Sequence, residues 1–140
     1  MTAPRSQASV SDIASHAVVY LVDDDPSVRK SIARLLESAG YCVRGFAKPE
    51  EFLDHLKSHR VPLVVSDIWM DNMTGMELLV HLCARSPHTR VIFITGHEDT
   101  AAERTVMQAG AFAFFLKPLD DEKFLESVGA ALESPAADEE

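Results

Sequence analysis

Compact apolar runs alternate along this chain with segments whose apolar positions recur every three or four residues. The runs are AVVYLV (17–22), YCVRGF (41–46), LVVS (63–66), RVIFIT (90–95) and AFAFFL (111–116), each short enough for a buried strand. Helix-period sequence follows each one. In PSVRKSIARLLESAG, Val28, Ile32, Leu35 and Leu36 share a face, with Pro26 at the start and Gly40 past the end. PEEFLDHLKSH follows the second run, and GMELLVHLCARS follows the third with Leu78, Leu79, Leu82 and Cys83 apolar. EDTAAERTVMQAG, closed by Gly110, follows the fourth, and KPLDDEKFLESVGAAL follows the fifth with Phe124, Leu125, Val128 and Leu132 on its apolar face. Five β-α units with short connections predict an α/β fold, a parallel sheet with right-handed crossovers and helices on both faces. Residues 1–16 and 134–140 are small, polar or acidic without periodicity, so they are expected to be mobile extensions of a single domain at 17–133.

A chain of 140 residues has room for one complete core, and its 46% hydrophobic and 25% charged residues are ordinary for a folded soluble protein. The formal net charge of -9, with no Lys/Arg cluster, argues against direct nucleic-acid binding and favours a basic partner surface or a metal cation. Cys42 and Cys83 are far apart and lack C-x-x-C spacing, which predicts buried reduced thiols rather than a disulfide framework or a zinc site. The N-terminal sequence has no apolar signal-peptide core, and no run approaches the length of a membrane span, so the expected location is the cytoplasm, with no membrane contact.

The candidate chemistry sits where the runs end. The first ends VDDDP, the third SD, the fourth ITGH and the fifth LKP. In a parallel sheet these ends share one edge, where ligands of open α/β sheets bind. Asp23, Asp24 and Asp67 would converge there, faced by the Thr95 hydroxyl and the Lys117 ammonium. Two carboxylates about 4 Å apart repel by roughly 4 kcal/mol at an effective dielectric near 20, so such a cluster shares a proton or holds a cation. An all-oxygen set without His or Cys suits Mg²⁺ or Mn²⁺. Read singly, each element is ordinary: DDDP is a helix N-cap with Asp25 as cap, Thr95-Gly96 a turn, Lys117 a solvated charge. Four strand ends delivering complementary groups to one edge point instead to a site.

These motifs, VDDD, SDIWM-x-x-x-x-G, ITGH and LKP over residues 17–133, resemble the response-regulator receiver domain, the CheY-like module of two-component signalling. TGH and MQAGAFAFFLKP further resemble the receivers of nitrogen-fixation-type regulators. The resemblance implies a doubly wound five-stranded parallel sheet, (βα)5, in the flavodoxin-like order 2-1-3-4-5. It implies that Asp67 accepts a phosphoryl group from a sensor histidine kinase, with Mg²⁺ (or Mn²⁺) held by Asp24, Asp67 and the Trp69 carbonyl and by Asp23 largely through water. Lys117 and Thr95 would hold phosphoryl oxygens, and Phe114 would follow Thr95 inward as a switch. Output would pass through the fourth helix, fifth strand and fifth helix, to a partner or a second copy. The chain is expected to be either a stand-alone receiver or the N-terminal part of a longer transcriptional regulator. Asp71 replaces the family's usual proline; with Trp69 and His97 it occupies positions expected to tune the phosphoryl lifetime. Lys117-Pro118 resembles the family's cis peptide.

Two other readings share parts of this pattern. A haloacid-dehalogenase-type phosphatase needs a second Asp two residues after its nucleophile, where this chain has Trp69. A flavodoxin-like cofactor module needs a Ser/Thr/Gly phosphate loop after the first strand, where VDDDP repels phosphate.

Overall fold

The structure is a computed structural model, and it describes residues 17–133; the expected mobile extensions at 1–16 and 134–140 lie outside the described residues. Five strands alternate with five helices: β1 (Val18–Val22), α1 (Pro26–Ser38), β2 (Cys42–Phe46), α2 (Pro49–His55), β3 (Leu63–Asp67), α3 (Gly75–Arg85), β4 (Arg90–Thr95), α4 (Thr100–Gln108), β5 (Ala113–Leu116) and α5 (Asp121–Glu133). All neighbouring strands pair in parallel in the order β2-β1-β3-β4-β5. The register sets Val22 beside Phe46 and Ser66, Asp67 beside Ile94, and Thr95 beside Leu116, so the strands finish together at one edge.

Successive side chains of a strand point to opposite faces, and the sheet's two faces carry separate cores. On one, Val19, Leu21, Leu63, Val65, Ile92 and Ile94 pack against Ile32 and Leu36 of α1 and Phe124 and Val128 of α5. On the other, Val22, Val64 and Phe93 meet Phe52 of α2, Leu78 and Leu82 of α3, and Ala102 and Val106 of α4. Burying a side chain as large as Phe52 or Phe93 completely contributes about 1.5–3 kcal/mol. Asp25 caps α1, its carboxylate accepting the Ser27 N–H at 2.9 Å, and Pro26 opens the helix. Gly40 and Gly110 take positive φ (97° and 112°) after α1 and α4, a conformation glycine adopts without Cβ strain.

Three expectations need correction. Cys42 and Cys83 are free thiols, but both are exposed. Cys42 begins the edge strand β2, which has a neighbour on one side only, and Cys83 lies one residue beyond the buried Leu78-Leu79-Leu82 stripe, with Sγ 3.9 Å from the Ala109 carbonyl oxygen. The second helix stops at His55 rather than running through His59. There the Lys57 and Ser58 N–H groups reach back only three residues, and the His59 ring stacks on His55 (centroids 3.7 Å apart) while meeting its carbonyl at 3.2 Å. The fifth strand starts at Ala113, not Ala111. No helix among the described residues is long and apolar enough to cross a membrane.

Candidate functional site

Asp23 follows β1 directly and is fully buried. Its N–H donates to the Phe46 carbonyl at 3.1 Å, and its Oδ1 accepts the Asp25 N–H at 2.9 Å. Among the described residues Oδ2 is buried with no hydrogen-bond partner, and the Lys117 ammonium stands 3.7 Å from it. Burial pushes this carboxyl's pKa above the usual range; the Asp25 N–H and then Lys117 pull it back, and the charges of Asp67 and Asp24 add to the rise. Asp24 is half-buried, and its Oδ2 accepts the backbone N–H of Asp71 at 3.1 Å, from 47 residues along the chain. Asp71 thus already serves the acid cluster through its backbone, while its side chain is exposed.

Asp67 is the last residue of β3 and keeps 14% of its side chain in solvent, open enough for a reactant and dry enough to strengthen the charges around it. Its Oδ1 accepts the Trp69 N–H at 3.2 Å, and its Oδ2 lies 3.6 Å from the Lys117 ammonium. Lys117 therefore stands between Asp67 and Asp23, too far from either for a tight hydrogen bond. Its own N–H donates to the Thr95 carbonyl at 2.9 Å, tying the ends of β5 and β4 together, and the Lys117-Pro118 peptide is cis. Thr95 is 1% exposed, and its Oγ1 accepts the His97 N–H at 3.3 Å. No acceptor for its own proton stands among the described residues.

The edge thus brings together Asp23, Asp24, Asp67, Thr95 and Lys117, as the strand-end pattern predicts. Trp69 and His97 are exposed beside it, with Trp69 42% in solvent. Phe114 pairs in register with Phe93 and packs half-buried against the core beneath α4.

Two supports stand behind the site: Ser66, which the sequence did not single out, and Gly75, which the SDIWM-x-x-x-x-G motif contains without a stated role. The Ser66 hydroxyl donates to the Asp67 carbonyl at 2.8 Å, fixing the last peptide of β3 from a fully buried position. Gly75 donates its N–H to the Ile68 carbonyl at 2.7 Å, and a Cβ there would stand 2.7 Å from the Phe93 ring and 3.0 Å from the Asp67 carbonyl oxygen. Only a residue without a side chain lets this loop close over the strand end. T-G-M-E at 74–77 was the available signal: it is a capping box, with the Thr74 hydroxyl accepting the Glu77 N–H at 3.2 Å and Glu77 accepting the Thr74 N–H at 2.9 Å.

The donor set fits a hard divalent cation: carboxylate oxygens, one of them buried and without a hydrogen bond among the described residues, and no imidazole or thiol among them. Among the described residues no group of three or more His, Cys, Asp or Glu side chains is placed to hold a metal ion by itself.

Residues 19–129 match the model of the response regulator receiver domain. The chain is 41% identical over 118 residues to the transcriptional regulatory protein FixJ of Azorhizobium caulinodans, covering 81% of this chain and 54% of that protein. It is 37% identical over 125 residues to the transcriptional regulatory protein GlrR of Escherichia coli, covering 88% of this chain and 28% of that one. It therefore spans only part of the length of the curated relatives it matches, about half in the case of FixJ. Among solved structures, a crystal structure of FixJ-N superposes with a TM-score of 0.78 at 36% identity, covering 86% of this chain and 97% of that one. The solution structure of the beryllofluoride-activated NtrC4 receiver domain dimer gives 0.78 at 31%, covering 83% and 96%.

Proposed function

The chain belongs to the response regulator receiver family of two-component signal transduction, and from that premise we propose that Asp67 accepts the phosphoryl group of a sensor kinase's phosphohistidine. The observation that carries this reading is the placement of Asp67: a half-buried carboxylate 3.6 Å from Lys117, on an edge that also holds the buried Thr95 hydroxyl. An Asp67 oxygen attacks phosphorus, a P–O bond forms as the P–N bond breaks, and the departing imidazole takes up a proton. Lys117 and the Thr95 hydroxyl stabilise charge on the transferring oxygens.

Receiver domains are generally Mg²⁺-dependent. Here Asp24, Asp67 and the Trp69 carbonyl would hold the ion, with Asp23 acting through water. Bound there, it offsets the repulsion between Asp67 and an incoming phosphate. Asp71, exposed beside Asp24, adds negative charge to that side of the site. His97 and Trp69 flank the acceptor where they control water's access to the phosphoryl group.

A receiver is not a conventional enzyme; this one takes part in its own phosphorylation and dephosphorylation. The added charge of about -1.5 to -2 draws the Thr95 hydroxyl toward the acceptor, and Phe114 repacks further inward against the core beneath α4. The face of α4, β5 and α5, where Met107 and Leu116 are exposed, then meets an output partner or a second copy.

Acetyl phosphate with Mg²⁺ should add one phosphoryl mass per chain. Labelling of Asp67→Asn, or of wild type in chelator, at the wild-type level would rule this reading out.

A further inference from the structure

The peptide that joins Asp23 to Asp24 is held by a side chain that no part of the phosphoryl chemistry uses. Arg29, in the first turn of α1, donates from its guanidinium to the Asp23 carbonyl at 2.6 Å. Long helical side chains lean toward the helix N-terminus, which lets this one reach back to the end of β1. A cation near the N-terminus faces the positive end of the helix dipole, and here the capping Asp25 carboxylate and its neighbours Asp23 and Asp24 stand just before the helix to offset it.

Across from it, Gly45 leaves room for the arginine stem. A Cβ on Gly45 would stand 3.3 Å from Arg29 Cδ and 3.5 Å from Cγ. Gly45 has no positive φ, so the backbone does not require glycine there; a Cβ would instead press the arginine stem aside by a few tenths of an ångström. Glycine within a strand weakens it and often marks a close approach of another group.

Resting on the phosphoacceptor reading above, we propose that Arg29 is a positioning residue: seated on Gly45, it fixes the Asp23-Asp24 peptide so that both carboxylates face the site. With its N–H bound by Phe46 and its Oδ1 by the Asp25 N–H, Asp23 is then held at three points, leaving Oδ2 directed at Lys117. Partners that orient ligands from behind typically carry 10–100-fold in metal affinity or activity.

The test is the Mg²⁺ dissociation constant of the unphosphorylated chain, by calorimetry, with unfolding in chelator as a control on the fold. Arg29→Met keeps the stem and loses the donor, and should weaken Mg²⁺ binding about 10-fold or more. Gly45→Val, which by strand propensity alone would strengthen β2, should weaken Mg²⁺ binding in the same direction by displacing the stem. Arg29→Lys, which retains a charged donor, should recover most of the loss. Mg²⁺ affinity within twofold of wild type in both Arg29→Met and Gly45→Val overturns the inference, and Arg29→Lys as weak as Arg29→Met overturns the hydrogen bond as its cause. Wild type that binds Mg²⁺ but is not labelled at Asp67 sinks the phosphoacceptor reading and leaves the positioning of the acids standing; wild type that binds no Mg²⁺ sinks both.

Discussion

Thr89 and Thr95 bracket the same strand, both almost fully buried, and their surroundings differ in one respect. Thr89, just before β4, donates its hydroxyl to the Val61 carbonyl at 2.7 Å and meets the Ser86 hydroxyl at 2.6 Å. Thr95, at the other end, accepts one long bond from the His97 N–H, and its own proton has no acceptor among the described residues. Nearby, Asp23 Oδ2 is buried without a hydrogen-bond partner and Lys117 hovers between two acids. At the Thr89 edge the Ser86 and Thr89 hydroxyls close on each other and on the Val61 carbonyl. The Thr95 edge leaves its hydroxyl and a buried carboxylate oxygen open among the described residues, at a cost in stability, the pattern expected where a protein stabilises something that arrives later.

The strongest test of that contrast is Lys117→Ala, which removes the cation facing Asp67. Labelling by acetyl phosphate should slow by about 10²–10³-fold, since groups that stabilise transition-state charge carry effects of that size. A stopped-flow or quench time course reads it. At the closed edge, Thr89→Val should do the reverse, lowering stability by about 1–3 kcal/mol because the Val61 carbonyl loses its donor, while labelling kinetics stay unchanged. Urea unfolding and the same time course decide together. Asp23→Asn should raise stability by about 0.5–2 kcal/mol, because it relieves a carboxylate whose burial disfavours its charged form, and should weaken Mg²⁺ binding as it does so. If Asp23→Asn proved less stable than wild type in chelator, the open edge would not be the strained one.

The open edge was legible in the sequence because it is built from strand ends. A parallel sheet carries all its carboxyl ends to one side, so an apolar run ending in Asp or Lys names both the residue and its place. The alternation of runs and helix-period segments likewise gave the two-faced architecture, with the leucines read on α3 and the apolar faces read on α1 and α5 turned to their cores. What the pattern did not carry was any contact made sideways. An arginine in a helix's first turn and a glycine in a strand are each commonplace, and only the fold shows that Arg29 lies across Gly45 to reach Asp23. Cys83 adjoins an apolar stripe, but periodicity gives a helix face and not the reach of its neighbours, and α4 leaves that thiol exposed. The closed edge was equally hidden, because Ser86, His88 and Thr89 read as an ordinary polar turn until the Val61 carbonyl is found beneath them.

Three more acids, Asp23, Asp24 and Asp71, stand on the loops beside Asp67, so the location of the phosphoryl group on the unmutated chain is the most direct test. Borohydride converts an aspartyl phosphate, and not a free carboxylate, to homoserine, which peptide mass spectrometry then places in the sequence. After acetyl phosphate and Mg²⁺, the conversion should fall on Asp67 alone. Homoserine at position 23, 24 or 71, or none in a chain that carries one phosphoryl mass, would contradict the account.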